Sequence, residues 1–262
     1  PRFLFREESI AELSPDTAAH PLIDEYALAS RLSYFLWSTM PDEELFTLAS
    51  ENLLRANLDA QFDRMLQDPR SESFMHNFAG QWLHARDIVS VNVSSLEIWL
   101  RDNPDPELFA AQAEYRILRE IPEEQRTPQQ QTAYQRTRTL VRAAYNQKRP
   151  QLKRPETTPM RQETEMYFEH IIRQDRPVAE LLDSDYTFLN EHLAKHYGIG
   201  GVKGNKMRRV ELPADSPRGG VLTQGTILAY TSNPTRTSPV KRGVFILENI
   251  LGTPPAAPPP NI

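Results

Sequence analysis

The stretch "TSNPTRTSPVKRG", residues 231–243, gathers two prolines, an asparagine, several hydroxyl side chains and three cations, with no acid among them. Asn233-Pro234 and Thr237 suit turns, and Ser238 before Pro239 suits the cap of a helix that carries Val240, Val244, Leu247 and Leu251. A capped helix start explains the prolines and hydroxyls but not the cations, because a first helical turn favours negative charge. Unpaired N–H groups at a helix start, flanked by Arg236, Lys241 and Arg242, suit a carboxylate or a phosphate. The expected anion-binding set is therefore Asn233, Arg236, Ser238, Lys241 and Arg242, with Asn233 and Ser238 shaping the turn and cap and the three cations facing one anion.

A second group lies in "EHLAKH", residues 191–196. His192 and His196 stand four apart, which puts both imidazoles on one face of a helix, as in metal-binding helices. Glu191 precedes the first histidine, so the HExxH order is missing, and two histidines leave a zinc site short of at least one protein ligand. A structural pair is the stronger reading and a metal-dependent hydrolase the weaker one. His76 and His84 flank the Phe78–Trp82 stripe without a serine or cysteine in a nucleophile setting. "GVLTQGT" (220–226) lacks the spacing and preceding strand of a phosphate-binding glycine loop. Trp37, Trp82 and Trp99 could line a sugar-binding surface, but Trp37 and Trp82 fall on apolar stripes that favour burial. Asp42, Glu43 and Glu44 form an acidic first turn that the helix dipole accounts for without catalysis.

The elements that must position these groups are helical. Leu28, Leu32, Phe35 and Leu36 repeat at helical spacing, as do Leu58, Phe62, Met65 and Leu66. Phe74, Phe78 and Trp82 make a third stripe, Thr164, Tyr167, Phe168, Ile171 and Ile172 a fourth, and Val240 to Leu251 a fifth. Convincing alternating strands are absent. Many of the 22 prolines follow a capping side chain: Asp68-Pro69, Asp105-Pro106, Thr127-Pro128, Thr158-Pro159, Ser216-Pro217 and Ser238-Pro239. Each pair predicts a helix start, where the missing N–H of proline costs nothing. Thr127 with Gln130 fits a capping box. The fold class is all-α: a multi-helix, bundle-like array with long loops and a proline-rich C-terminal tail.

Composition bounds the partners. The 262 residues carry a net charge of −5, which disfavours a general nucleic-acid binder. No apolar run approaches the roughly 20 residues of a membrane span. With no cysteine, disulfides, thiolate catalysis, iron–sulfur ligation and covalent c-type haem attachment are excluded within this stretch. Pro1 stands first, and "GTPPAAPPPNI" reads as a stiff linker, so an internal piece of a longer protein is expected. Residues 94–157 are polar, and from Arg136 to Arg154 there are seven cations without an acid. A solvated helix on a surface insertion is preferred there over a basic docking patch. Gly198–Gly220 reads as a connection between subdomains.

Several phrases carry a resemblance. "YALASRLSYFLWSTMPDEEL" (26–45), "RMLQDPR" with "FAGQWL" (64–83) and "LLDSDYTFLNEHLAKHYGI" (181–199) resemble the DUF1592 domain. "RGGVLTQGTILAYTSNPTRTSPVKRGVFILENILGTPPAAPPPN" (218–261) resembles the opening of DUF1588. The resemblance divides the chain into a DUF1592-like domain over 1–200, with 94–157 as an insertion, and the start of a DUF1588-like segment over 201–262. It implies a large exported protein, periplasmic or extracellular, of a type abundant in planctomycetes and related bacteria. In such proteins the proline-rich segment is followed by a CxxCH haem-attachment motif and a DPxG-type stretch similar to di-haem peroxidase-like cytochromes. The family often has arginine where His192 stands, which weakens a shared metal role.

The expectation is thus a non-catalytic helical scaffold in a c-type cytochrome-like oxidoreductase, with c-type haem in flanking segments and none in this stretch. Its partners would be the remaining domains and an electron-transfer partner, and the anion at Arg236, Lys241 and Arg242 a haem propionate or an acidic surface. The alternative from another class is a protein- or carbohydrate-interaction scaffold.

Overall fold

A computed structural model describes residues 22–147 and 154–256. Lys148, Arg149 and Lys153 of the cation run, and the end of the proline-rich tail, lie outside the described residues. The chain is mostly helical, with two small antiparallel sheets. It forms two compact units, each built from two chain segments: up to Arg86 with Arg161–Gln224, and Asp87–Met160 with Gly225 onward.

In the first unit, α1 (Glu25–Trp37) packs on α2 (Glu43–Ser50), α3 (Leu58–Gln67) and α4 (Glu72–Trp82). Asp24 caps α1 by accepting the Ala27 N–H at 2.7 Å, and Asp42 caps α2 through Leu45 at 3.1 Å. The buried face of α1 is rotated from the expected stripe. Ala29, Ser33, Leu36 and Trp37 are buried, while Phe35 is 54% exposed. Small residues at 29 and 33 let the neighbouring helices close in, and the Ser33 hydroxyl is satisfied by donating to the Thr39 carbonyl at 2.9 Å. Trp37 is 2% exposed and donates its indole N–H to the Met65 carbonyl at 3.0 Å. The Arg70 guanidinium lies 3.5 Å above its ring.

Helix α8 (Arg154–Arg173) begins before Pro159, which lies inside it rather than at its start. Pro155 takes the first-turn position instead, and Pro159 removes one interior backbone hydrogen bond. From Arg161 onward α8 belongs to the first unit, where it buries Tyr167, Phe168 and Ile171 as its stripe predicts. The strands β1 (Tyr186–Leu189) and β2 (Arg208–Glu211) pair antiparallel, Tyr186 opposite Glu211 and Leu189 opposite Arg208. All four β1 residues are buried, so no alternation betrayed it. Between them, α9 (Glu191–Tyr197) is capped by Asn190 and ended by Gly198 in the left-handed region. Glu163, 1% exposed, ties these elements together: Thr187 donates to it at 2.6 Å and Tyr197 at 2.5 Å.

In the second unit, α5 (Ser95–Asp102) precedes a helical hairpin of α6 (Pro106–Glu120) and α7 (Pro128–Gln147). Asp105 caps α6 through the Leu108 N–H at 3.0 Å. Thr127 and Gln130 exchange the two bonds of the capping box, at 2.8 and 3.2 Å. Leu100, Leu108 and Ala144 form a small core, and Tyr115 stacks on Tyr134 at 5.4 Å. The chain then continues through α10 (Gly225–Tyr230), β3 (Ser232–Asn233), β4 (Arg236–Thr237) and α11 (Pro239–Phe245), which runs into a π-helical turn over Ile246–Ile250. Phe245 is buried here, while Val240 and Leu251 of the expected stripe are 76% and 59% exposed.

Candidate functional site

The hairpin–helix junction of residues 231–243 is assembled locally. Thr231 and Ser232 turn back onto α10, their hydroxyls donating to the Ile227 and Leu228 carbonyls at 2.6 Å each. Ser232 pairs with Thr237 and Asn233 with Arg236, leaving Pro234 and Thr235 as the tip. Proline at the first tip position has its φ already set for a tight turn. Ser238 then caps α11, its hydroxyl oxygen accepting the Lys241 N–H at 3.3 Å, with Pro239 in the first turn.

The tip is held by the chain around α5. Ser94 donates its N–H to the Pro234 carbonyl at 2.8 Å, and the Arg101 guanidinium donates to the Thr235 carbonyl at 3.4 Å. Between these segments lies a cleft of about 420 Å³. Its apolar wall is Val91, Val93, Ile98 and Ala229; Asn233, Arg101 and Arg236 also line it.

The five expected residues therefore divide. Asn233 and Arg236 line the cleft, and Ser238 is the cap. Lys241 directs its ammonium at the Ser232 carbonyl at 3.5 Å, and Arg242 its guanidinium at the Thr231 hydroxyl at 3.4 Å. These contacts are long and neither involves an acid. The contrast with the first unit is sharp: Arg64, Arg70, Arg161, Arg173 and Arg176 each reach a carboxylate at 2.6–2.8 Å. Among the described residues Arg236, Lys241 and Arg242 make no ion pair, and Arg236 and Lys241 are exposed.

His192 and His196 are both exposed on α9. Among the described residues no group of three or more histidine, cysteine, aspartate or glutamate side chains is placed to hold a metal ion. His76 lies 2.7 Å from Glu165, which also accepts from Arg161 at 2.6 Å, so its ring is engaged by that carboxylate.

Two features escaped the sequence reading. The first is a titratable cluster on α8 and β1. His170 packs its ring 5.2 Å from Tyr186 and 5.7 Å from Phe188. Burial, with the positive charges of Arg209 and Arg176 behind it, lowers the His170 pKa below the ordinary value. Burial also pushes the Tyr167 hydroxyl up to about 12 and raises Tyr186 as well. The second is the "RGG" of residues 218–220. Arg218 lies 3.7 Å over the Tyr197 ring and donates to the Thr223 carbonyl at 2.7 Å. Gly220 has φ +69°, and a Cβ there would stand 2.2 Å from the Leu182 carbonyl oxygen. The adjacent glycines were the available signal.

Fold and site together define a mostly helical protein with a capped, cation-bearing hairpin beside an apolar cleft. Comparison with known families places it. Residues 23–104 and 103–199 match the family described as protein of unknown function (DUF1592), and residues 218–262 match that described as protein of unknown function (DUF1588). The chain belongs to the DUF1592 family, with the DUF1588 match following it in the order the quoted phrases implied. No curated protein and no solved structure matches it. Among the described residues no helix is long and apolar enough to cross a membrane.

Proposed function

We propose that this chain is a non-catalytic helical scaffold within a larger exported, c-type cytochrome-like oxidoreductase, and that the 231–243 junction receives an anionic group from another part of that protein. One observation carries the reading: Arg236 and Lys241 are exposed beside a capped helix start without a carboxylate partner among the described residues. Uncompensated cations at a place the helix dipole disfavours are at home when an anion arrives.

The residues fit part of a haem and not the whole of it. A propionate edge suits Arg236 and the neighbouring cations. The chain has no cysteine for thioether bonds, and the described cleft lining holds no histidine or methionine to ligate iron. Iron ligands and attachment would come from the flanking segments. The remaining domains and an electron-transfer partner would be its neighbours, in the periplasm or outside the cell.

The test is made on the parent polypeptide and on this chain alone. Changing Arg236 and Lys241 together to glutamine is expected to alter haem retention or reduction potential in the parent and leave the thermal stability of the chain unchanged. The chain alone is expected to give no haem-stained band. A stained band from the chain, or an unchanged parental cofactor with a destabilised chain, overturns the reading.

A second reading, an interaction scaffold, is favoured by Phe35 and Phe78, which are 54% and 38% exposed at the edge of an aromatic cluster with Phe74, Trp82 and Phe168. Phe35→Ser and Phe78→Ser would then abolish capture of a partner domain or glycan while leaving haem retention intact.

A further inference from the structure

The cleft beside the hairpin has a character of its own, distinct from a flat basic patch. One wall is aliphatic, from Val91, Val93, Ile98 and Ala229. Arg101 and Arg236 line the same cleft from two different chain segments. Arg101 donates to the Thr235 carbonyl at the hairpin tip at 3.4 Å and forms an ion pair with the adjacent Asp102 at 3.2 Å. Its guanidinium keeps further N–H donors beyond those two bonds, since the group carries five. Arg236 makes no ion pair among the described residues. The volume, about 420 Å³, lies within the range of about 300–1,000 Å³ common for small-ligand sites.

We infer that this cleft binds a small amphipathic carboxylate, its hydrocarbon body against the aliphatic wall and its carboxylate on Arg236 and Arg101. Two complementary demands lead to that class. An apolar wall favours a hydrocarbon over water, in proportion to the area covered. The two guanidiniums that line the cleft, Arg236 with no ion pair among the described residues and Arg101 beside Asp102, favour a planar carboxylate, whose two oxygens match a guanidinium's donor fork and form charge-assisted bonds. A cation would meet repulsion from Arg236, and a neutral alcohol would forgo the charge-assisted bonds. A fully polar anion such as inorganic phosphate would leave the valines and Ile98 unused. The inference rests on reading Arg236 as an anion receiver, and it adds that the neighbouring cleft also accepts a free small-molecule carboxylate that carries an apolar body.

The experiment is calorimetric titration of the 262-residue chain with sodium octanoate, beside octan-1-ol, octylamine and inorganic phosphate. Octanoate is expected to bind at one site and the three controls at least tenfold more weakly. Arg236→Gln and Arg101→Gln should each weaken octanoate at least tenfold, as should Ile98→Asp. Arg119→Gln, an exposed cation of α6 that does not line the cleft, should leave octanoate binding unchanged. Thermal melts of each variant show that it is folded, and Arg236→Gln, being on the surface, serves if Ile98→Asp does not fold. Absence of octanoate binding, equal binding of octan-1-ol, or retained binding by Arg236→Gln overturns the inference. Should octanoate fail while charge replacement still shifts the parental haem, this inference falls and the scaffold reading stands. If octanoate binds as described but the parental haem is indifferent to Arg236 and Lys241, the scaffold reading falls alone.

Discussion

The backbone N–H of Ser94 donates to the carbonyl of Pro234 across 2.8 Å, joining residues 140 apart in sequence. The beginning of a segment whose composition suggests a surface excursion is therefore pinned to the tip of the cation-bearing hairpin. That bond, with Arg101 on the Thr235 carbonyl, fixes one side of the cleft.

Within that segment, α6 and α7 pack chiefly on each other. Replacing residues 106–147 by a short linker is expected to leave one cooperative thermal transition, because the α6–α7 pair supplies much of its own packing through Leu108, Ala144 and the Tyr115–Tyr134 stack. Loop length itself adds little closure cost. Loss of cooperative melting would show that the hairpin belongs to the common core.

Ser238→Ala should cost about 1 kcal/mol in chemical denaturation, the usual loss when a capping side chain is removed. The Lys241 N–H then loses its side-chain acceptor. Arg236→Gln in the same assay should move the midpoint hardly at all, since among the described residues it gives up no ion pair.

Gly220→Ala is expected to be far more damaging, roughly 3 kcal/mol or more. The added Cβ would strain a left-handed backbone and meet the Leu182 carbonyl oxygen at 2.2 Å, forcing backbone to move. A variant with wild-type urea midpoint would refute this account of the second glycine of "RGG".

His170 gives a pH dependence whose sign is fixed by its surroundings. Its folded pKa lies below the ordinary value of 6.5, so on acidification the unfolded chain takes up that proton first. The stabilisation from neutral His170 is complete above pH 6.5 and is lost as the pH falls towards the folded value. His170→Phe keeps an aromatic ring between Tyr186 and Phe188 and should flatten that part of the curve. Urea midpoints of both proteins at pH 7.5 and 5.5 measure it; parallel slopes would exclude His170 as the cause.

What could be read from the residues alone was what the chain encodes over three or four positions. Asp105, Thr127 and Ser238 announce their helices because a cap and its N–H partner are neighbours in sequence. The family phrases and the absence of cysteine are equally direct. Tertiary structure decided what distant segments offer each other. Tyr186–Leu189 is a strand because Arg208–Glu211 lies beside it, and its uniform burial erased the alternation that would have marked it. Ser216-Pro217 looks like a helix start, yet its serine accepts the Arg218 N–H at 3.1 Å in a turn leading to glycines that fit only against Leu182–Ser184. The same holds at the hairpin. The cations are visible in "TSNPTRTSPVKRG", but their division, with Arg236 on an aliphatic cleft and Lys241 and Arg242 turned to Ser232 and Thr231, depends on where residues 91–101 pack. A local pattern states which groups are available; only packing between segments far apart in sequence determines which of them share a site.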